Sequence, residues 1–364
     1  MTITPKPNIL KVKPYIPGKP IEEVKRELGL KSVIKLASNE NPYGPSPRVM
    51  RAMALAVRGV NRYPDGACFY LRRQIAKRLK VDDKQIIFGN GSDEVIVLAV
   101  RAFVSEGDEV IIAKPSFLIY EIASLIEGAR VREVALKGFR YDLEGMKRAV
   151  SPKTKIIFIG NPDNPAGTYI PKDELKSFIN GIRKDILIFI DEAYFEYVHA
   201  KDYPDGTDFL KEHNNVVVTR TFSKMYGLAG LRIGYGVGDP AVIDVLNRLR
   251  EPFNVNSVAQ AAAIACLKDQ KYYKDIARLV EKERAFLYDQ FRSLGFHVEE
   301  SFTNFILLKV EKDSSSVARA LLKKGVIVRD MAVWGLKNYI RITIGSHKEN
   351  LLLIKSLKQV VHEL

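Results

Sequence analysis

Residues 221–235 read Thr221-Phe222-Ser223-Lys224-Met225-Tyr226-Gly227-Leu228-Ala229-Gly230-Leu231-Arg232-Ile233-Gly234-Tyr235. They follow the apolar run Val216–Thr219 and lead into a second one, Arg232–Val237. Lys224 therefore stands just past a predicted strand, among small hydroxyl, glycine and apolar residues, a poor place for a solvated cation. Burial beside Arg232 would lower its pKa, as an amine needs if it is to form an imine. A surface lysine in a glycine-rich loop is the plainer alternative.

Outward from this segment the same texture repeats. Short apolar runs at Ile86–Gly89, Val110–Ala113, Lys155–Gly160 and Ile186–Ile190 alternate with helix-like stretches at Asp93–Phe103, Ile119–Gly128, Leu143–Ala149 and Lys172–Gly181. That alternation predicts an α/β fold with a mostly parallel sheet covered on both faces. In such sheets ligands bind at the carboxyl ends of the strands. After Pro252 a long helical tract, Ser257–Leu294, precedes strand-like Phe305–Val310, helix-like Ser316–Lys324, strand-like Val326–Arg329 and Tyr339–Ile344, and a closing helix. The expected division is an N-terminal arm with part of the small domain at 1–40, a large domain at 41–252, and a small α+β domain at 253–364.

Composition narrows the function. With 364 residues, 46% hydrophobic and 27% charged, the chain is an ordinary globular one. No apolar run approaches the roughly 20 residues a membrane-spanning helix needs, and the Lys- and Pro-rich N-terminus does not read as a secretory signal, so a cytoplasmic protein is expected. Two cysteines, Cys68 and Cys266, and five scattered histidines offer no metal-ligand spacing. The net charge of +14 is spread along the chain. Its densest cluster, Arg72, Arg73, Lys77, Arg78 and Lys80, recurs at helical spacing as the solvated side of an amphipathic helix. Such a field favours small anions over nucleic acid.

Three further segments stand at predicted strand ends. Gly89-Asn90-Gly91-Ser92-Asp93-Glu94 opens a helix whose free amides suit a phosphate, although Ser92 or Asp93 would also serve as a simple cap. Glu94 stands where a dinucleotide fingerprint needs its third glycine, which removes the main support for that reading. Asn161-Pro162-Asp163-Asn164-Pro165-Ala166-Gly167 places Asn164 where a ligand would lie, while turn formation alone also accounts for it. Asp191-Glu192-Ala193-Tyr194 ends a very apolar strand; a buried Asp191 would need a cation, a metal or a protonated ring nitrogen, and a solvated strand end is the alternative.

Taken together, the four segments resemble the fold-type I pyridoxal-phosphate-dependent aminotransferases over essentially the whole chain. Within that superfamily the sequence is most similar to the histidinol-phosphate aminotransferase family, through Leu36-Ala37-Ser38-Asn39-Glu40-Asn41-Pro42-Tyr43-Gly44-Pro45-Ser46-Pro47, Arg62-Tyr63-Pro64-Asp65 and Asn338-Tyr339-Ile340-Arg341-Ile342-Thr343-Ile344-Gly345. The resemblance implies a large domain built on a mostly parallel seven-stranded sheet, with a smaller α+β domain. It implies pyridoxal 5'-phosphate as cofactor, with Lys224 as the lysine that joins it covalently and later shuttles a proton. Asp191 would pair with the ring nitrogen, Tyr194 and Asn164 with the phenolic oxygen, and Phe117 with the ring face. Ser92, Asp93, Thr221, Ser223 and Arg232 would hold the phosphate, and Tyr63 would reach it from the other subunit of a homodimer with shared active sites. Tyr15, Asn164, Arg329 and Arg341 would contact substrate, although Arg329 and Arg341 also read as ordinary strand arginines. Asp163 and Ala166 depart from the family's usual Asn and Thr at those places.

The implied reaction moves an amino group between L-histidinol phosphate and 2-oxoglutarate, giving glutamate, in L-histidine biosynthesis. An aromatic amino acid aminotransferase and a threonine-phosphate decarboxylase are the rival readings. A regulator built on this fold would need an added DNA-reading module, for which the chain leaves no segment.

Overall fold

A computed structural model of the chain describes residues 3–14 and 17–363. Its strands are β1 (Ile34–Leu36), β2 (Ile86–Gly89), β3 (Glu109–Lys114), β4 (Arg130–Ala135), β5 (Thr154–Gly160), β6 (Leu187–Asp191), β7 (Val216–Thr221), β8 (Gly234–Gly238), β9 (Phe305–Lys309), β10 (Val326–Asp330) and β11 (Tyr339–Thr343). Seven of them form a sheet in the order β2-β8-β7-β6-β5-β3-β4, in which only β8 runs against its neighbours. The apolar runs of the sequence account for six of these strands. The seventh, β4, is an edge strand whose side chains are mostly exposed.

Both faces of this sheet are covered, and the strands show it residue by residue. Along β5 and β6, Ile156, Phe158, Leu187 and Phe189 pack into one cluster under the helices Ser92–Phe103, Leu118–Ile126 and Pro240–Leu249. The intervening Ile157, Ile159, Ile188 and Ile190 pack into another, against Met146, Leu175, Phe178 and Ile179 of the opposite helices. Burying each such side chain stabilises the fold by about 1.5–3 kcal/mol relative to leaving it exposed.

A four-stranded sheet in the order β1-β10-β11-β9 makes up the smaller unit, with β1 parallel to β10. Ile34–Leu36 thus carries the N-terminal segment into the C-terminal sheet. The helical tract expected at Ser257–Leu294 is two helices, Ser257–Leu267 and Gln270–Ser293, broken at Lys268 and Asp269. One apolar cluster runs from Phe88 and Tyr235 on the larger sheet to Phe305 and Ile340 on the smaller.

Strand order fixes where a ligand can enter. From β3 the chain moves to the edge strand β4, then returns to the other side of β3 as β5 and continues away through β6 and β7. The connections after β3 and β5 therefore leave in opposite directions and open a crevice at the carboxyl ends of those strands.

Candidate active site

Asp191 is the last residue of β6, in register with Gly160 on one side and Thr219 on the other. Alternation places its side chain on the face of Leu187 and Phe189, where the helix Leu118–Ile126 supplies Tyr120. Tyr120 Oη donates to Asp191 Oδ2 at 2.8 Å, the Ala193 amide donates to Oδ1 at 3.1 Å, and Thr219 Oγ1 lies 3.4 Å from Oδ1. Burial nevertheless pushes the Asp191 carboxyl up to about 6, against the pull of the Tyr120 hydrogen bond. A buried carboxylate held by neutral donors alone calls for a cationic partner, which a protonated ring nitrogen supplies.

Above this floor is a cavity of about 330 Å³. Lys224 reaches it from the loop after β7, with Nζ 3.4 Å from the Ser38 carbonyl oxygen and 5.8 Å from the centre of the Tyr194 ring. Its ammonium is pushed down to about 8, first by desolvation and then by the Arg341 guanidinium, with Arg232 a smaller contributor. The direction is the one the sequence implied; the stronger cationic neighbour is Arg341.

At the far end of the cavity the helix Ser92–Phe103 starts at Gly91, whose φ of 85° is in the left-handed region. No side chain caps this helix start, which leaves its first-turn amides available to a ligand, and Ser92 and Asp93 of that turn line the cavity. Arg232, itself at φ 54°, sends Nη1 to Ser223 Oγ at 3.3 Å and Nη2 to Asp93 Oδ2 at 3.1 Å. Thr221 Oγ1 accepts from the Ser223 amide at 3.1 Å. A Cβ on Gly91 would collide with Arg232, and one on Gly234 with the Ser92 amide, so glycine at both places lets guanidinium and helix end converge. Amides, hydroxyls and a guanidinium around one point form an anion cradle. Cradle, lysine and carboxylate together match the phosphate, aldehyde and ring nitrogen of pyridoxal phosphate.

The family pattern described as "Aminotransferase class I and II" matches residues 31–357. The chain belongs to that family. A histidinol-phosphate aminotransferase of Moorella thermoacetica is 44% identical over 354 residues, 97% of this chain and 92% of that protein. One of Caldicellulosiruptor saccharolyticus is 45% identical over 350 residues, 96% and 98% of the two chains. The crystal structure of histidinol-phosphate aminotransferase from Sinorhizobium meliloti in complex with pyridoxal-5'-phosphate superposes with a TM-score of 0.92 at 28% identity, covering 99% of this chain and 98% of that one.

In this class I and II aminotransferase, ten of the residues expected around the cofactor line the one cavity: Ser92, Asp93, Phe117, Asn164, Asp191, Tyr194, Thr221, Ser223, Lys224 and Arg232. Phe117 caps the helix that carries Tyr120, with ring centres 5.5 Å apart. Asn164 Oδ1 accepts from Arg341 Nη1 at 2.5 Å, which leaves its amide nitrogen as the donor. Arg341 Nη2 also donates to the Ala37 carbonyl at 3.1 Å, so this arginine of β11 bridges the two sheets. Arg329, opposite it in register on β10, lies over the Trp334 ring at 4.9 Å and does not line the cavity. Tyr63 is 83% exposed, stacked on Phe253, and stands outside this chain's cavity. Tyr15 lies outside the described residues.

Three partners in this site went unread in the sequence. Tyr120 commits its hydroxyl to Asp191, and its ring stacks on Phe158 at 4.6 Å. Thr219 and Asn39 meet Asp191 and Tyr194 only through the fold. For Thr219 a signal existed, since it aligns with Asp191 if the parallel register is drawn.

Proposed function

We propose that this aminotransferase uses pyridoxal 5'-phosphate to transfer the amino group reversibly between L-histidinol phosphate and 2-oxoglutarate, a step of L-histidine biosynthesis. The observation that carries the substrate is likeness over nearly the whole length to relatives named for it. The geometry supports the chemistry. Pyridoxal phosphate, once bound, supplies an aldehyde carbon that condenses with amines and a ring that takes up the electron pair left when a proton departs from carbon.

The chain's own residues do the rest. Lys224, with its pKa lowered to about 8, holds a far larger neutral fraction near physiological pH than an ordinary lysine and can take and return a proton at Nζ. Asp191 holds the proton on the ring nitrogen, while Tyr120 and Thr219 keep its carboxylate aimed. Tyr194 stays protonated, its hydroxyl pushed up to about 12 by burial, and donates to the phenolic oxygen together with Asn164. Ser92, Asp93, Thr221, Ser223 and Arg232 bind the phosphate, and Phe117 covers the ring. Arg341 binds the second anion, a phosphate in one half-reaction and a carboxylate in the other, with Arg329 and Tyr15 assisting.

The working enzyme is a cytoplasmic homodimer in this reading. The exposed Tyr63 beside Phe253 supports a role in the partner's phosphate site. Residues 41–252 form the cofactor-holding domain, and 253–364, with 1–40, the smaller one.

The test is a single-turnover absorbance measurement on cofactor-loaded protein with L-histidinol phosphate, phenylalanine, tyrosine or threonine phosphate added separately. Conversion to the pyridoxamine form is expected to be fastest with histidinol phosphate. A faster aromatic amino acid, or carbon dioxide release from threonine phosphate, would transfer the assignment to the corresponding rival.

A further inference from the structure

Asn39 belongs to the segment between β1 and the first helix of the larger unit. It is 1% exposed and adopts a left-handed backbone, φ 55°. Each of its four polar atoms is engaged. Its amide donates to Thr343 Oγ1 at 2.9 Å and its carbonyl accepts from Asn304 Nδ2 at 2.9 Å. Its Oδ1 accepts from Thr343 Oγ1 at 3.3 Å, and its Nδ2 donates to Tyr194 Oη at 2.8 Å. Thr343 ends β11 and Asn304 precedes β9, whereas Tyr194 follows β6, so one side chain ties the smaller sheet to the active-site wall.

As the side chains are placed, every proton in the network has a direction. Thr343 Oγ1 accepts the Asn39 backbone amide and donates its own proton to Asn39 Oδ1. That orients the carboxamide with its nitrogen toward Tyr194, and an amide nitrogen can only donate. Tyr194 Oη must therefore accept from Asn39, and its single proton is left to point elsewhere. Tyr194 lines the cavity.

We propose that Asn39 is a positioning residue that makes the Tyr194 hydroxyl a donor toward the cofactor, acting through a chain of hydrogen bonds that starts on Thr343 of the smaller sheet. The inference rests on the reading of Tyr194 as a partner of the cofactor's phenolic oxygen. A donor there favours the deprotonated form of the chromophore that Lys224 makes with the cofactor, so losing it raises the pKa of that chromophore.

Visible absorbance of the cofactor-loaded protein, titrated with pH, reads this without any turnover. Asn39→Gly keeps the left-handed backbone and deletes the carboxamide. Asn39→Asp tolerates the same backbone but offers Tyr194 only an acceptor, which would draw its proton away from the cavity. Asn39→Asp is expected to raise the chromophore pKa by about one unit, the scale of one hydrogen bond to an ionising group, and Asn39→Gly by less. Thr343→Val removes the hydroxyl that orients the amide, keeps Asn39 itself, and should shift the pKa in the same direction. In a Tyr194→Phe background all three shifts should vanish. The inference fails if Tyr194→Phe alone raises the pKa but the Asn39 and Thr343 variants do not, or if their shifts persist without the tyrosine hydroxyl. If Tyr194→Phe alone leaves the titration unchanged, it is the reading of Tyr194 that fails, and the role of Asn39 with it.

Discussion

Lys224 and Asp191 are opposite cases of one effect. Desolvation disfavours the charged form of each, lowering the lysine to about 8 and raising the aspartic acid to about 6. Each is thereby disposed to react with or pair to a ligand that removes the penalty. Lys224→Ala is expected to lower transamination by at least about a thousandfold while the phosphate cradle still binds pyridoxal phosphate noncovalently. Cofactor retention on gel filtration and single-turnover absorbance separate the two effects, and an active variant would remove Lys224 from its role. Asp191→Asn keeps the shape and the Tyr120 contact but loses the charge that holds the ring nitrogen's proton. Its turnover should drop about a hundredfold, the usual size for one preorganised electrostatic contact. Near-normal turnover would mean that the ring nitrogen is paired elsewhere.

Elements differ in how openly they announce themselves. β5 and β6 are buried on both faces along Ile156–Ile159 and Leu187–Ile190, so those stretches are wholly apolar and stand out of the sequence. β4 carries Arg130, Arg132 and Glu133 because an edge strand is protected from further pairing by charge, and a search for apolar runs passes over it. β1, three residues long, is too short to show a period. The site follows the same logic. Residues placed at strand ends by local chain geometry could be picked out, whereas Tyr120 and Asn39 acquire their partners across 71 and 155 residues of sequence. The loop and helix start around Gly91 are legible for another reason, since only glycine fits there. Gly91→Ala must adopt φ 85° and push Arg232 aside. A loss of about 1–2 kcal/mol of stability and a tenfold or greater loss of cofactor affinity are expected. Gly59→Ala, where a Cβ meets nothing within 4 Å and φ is ordinary, should change neither thermal midpoint nor cofactor titration.

At the scale of the whole molecule, the buried charges make stability depend on pH, and Asp163 allows the sign to be worked out. It is 1% exposed, with Oδ1 accepting from Tyr141 Oη at 3.1 Å and Oδ2 from the Ala166 amide at 3.0 Å. Burial raises its pKa from 3.8 to about 7, and the charge of a second acid, Asp191, adds to the rise. Between these values the folded chain holds a proton that the unfolded chain has lost. The contribution is fully present below about pH 4 and disappears as pH rises through 7. Lys224 runs the other way in the cofactor-free protein: lowered from 10.5 to about 8, it returns stability only as pH climbs through that interval. These two groups therefore weaken the fold most between about pH 7 and 8. Asp163→Asn, the residue the family usually carries, removes the acid's share without changing the size of the side chain. The cofactor-free variant should melt about 2–4 °C above the natural chain at pH 8 and converge with it near pH 4.5. A stabilisation of the same size at both pH values would assign the gain to packing in the turn, and a loss at pH 8 would mean that Asp163 is ionised there and held by its donors.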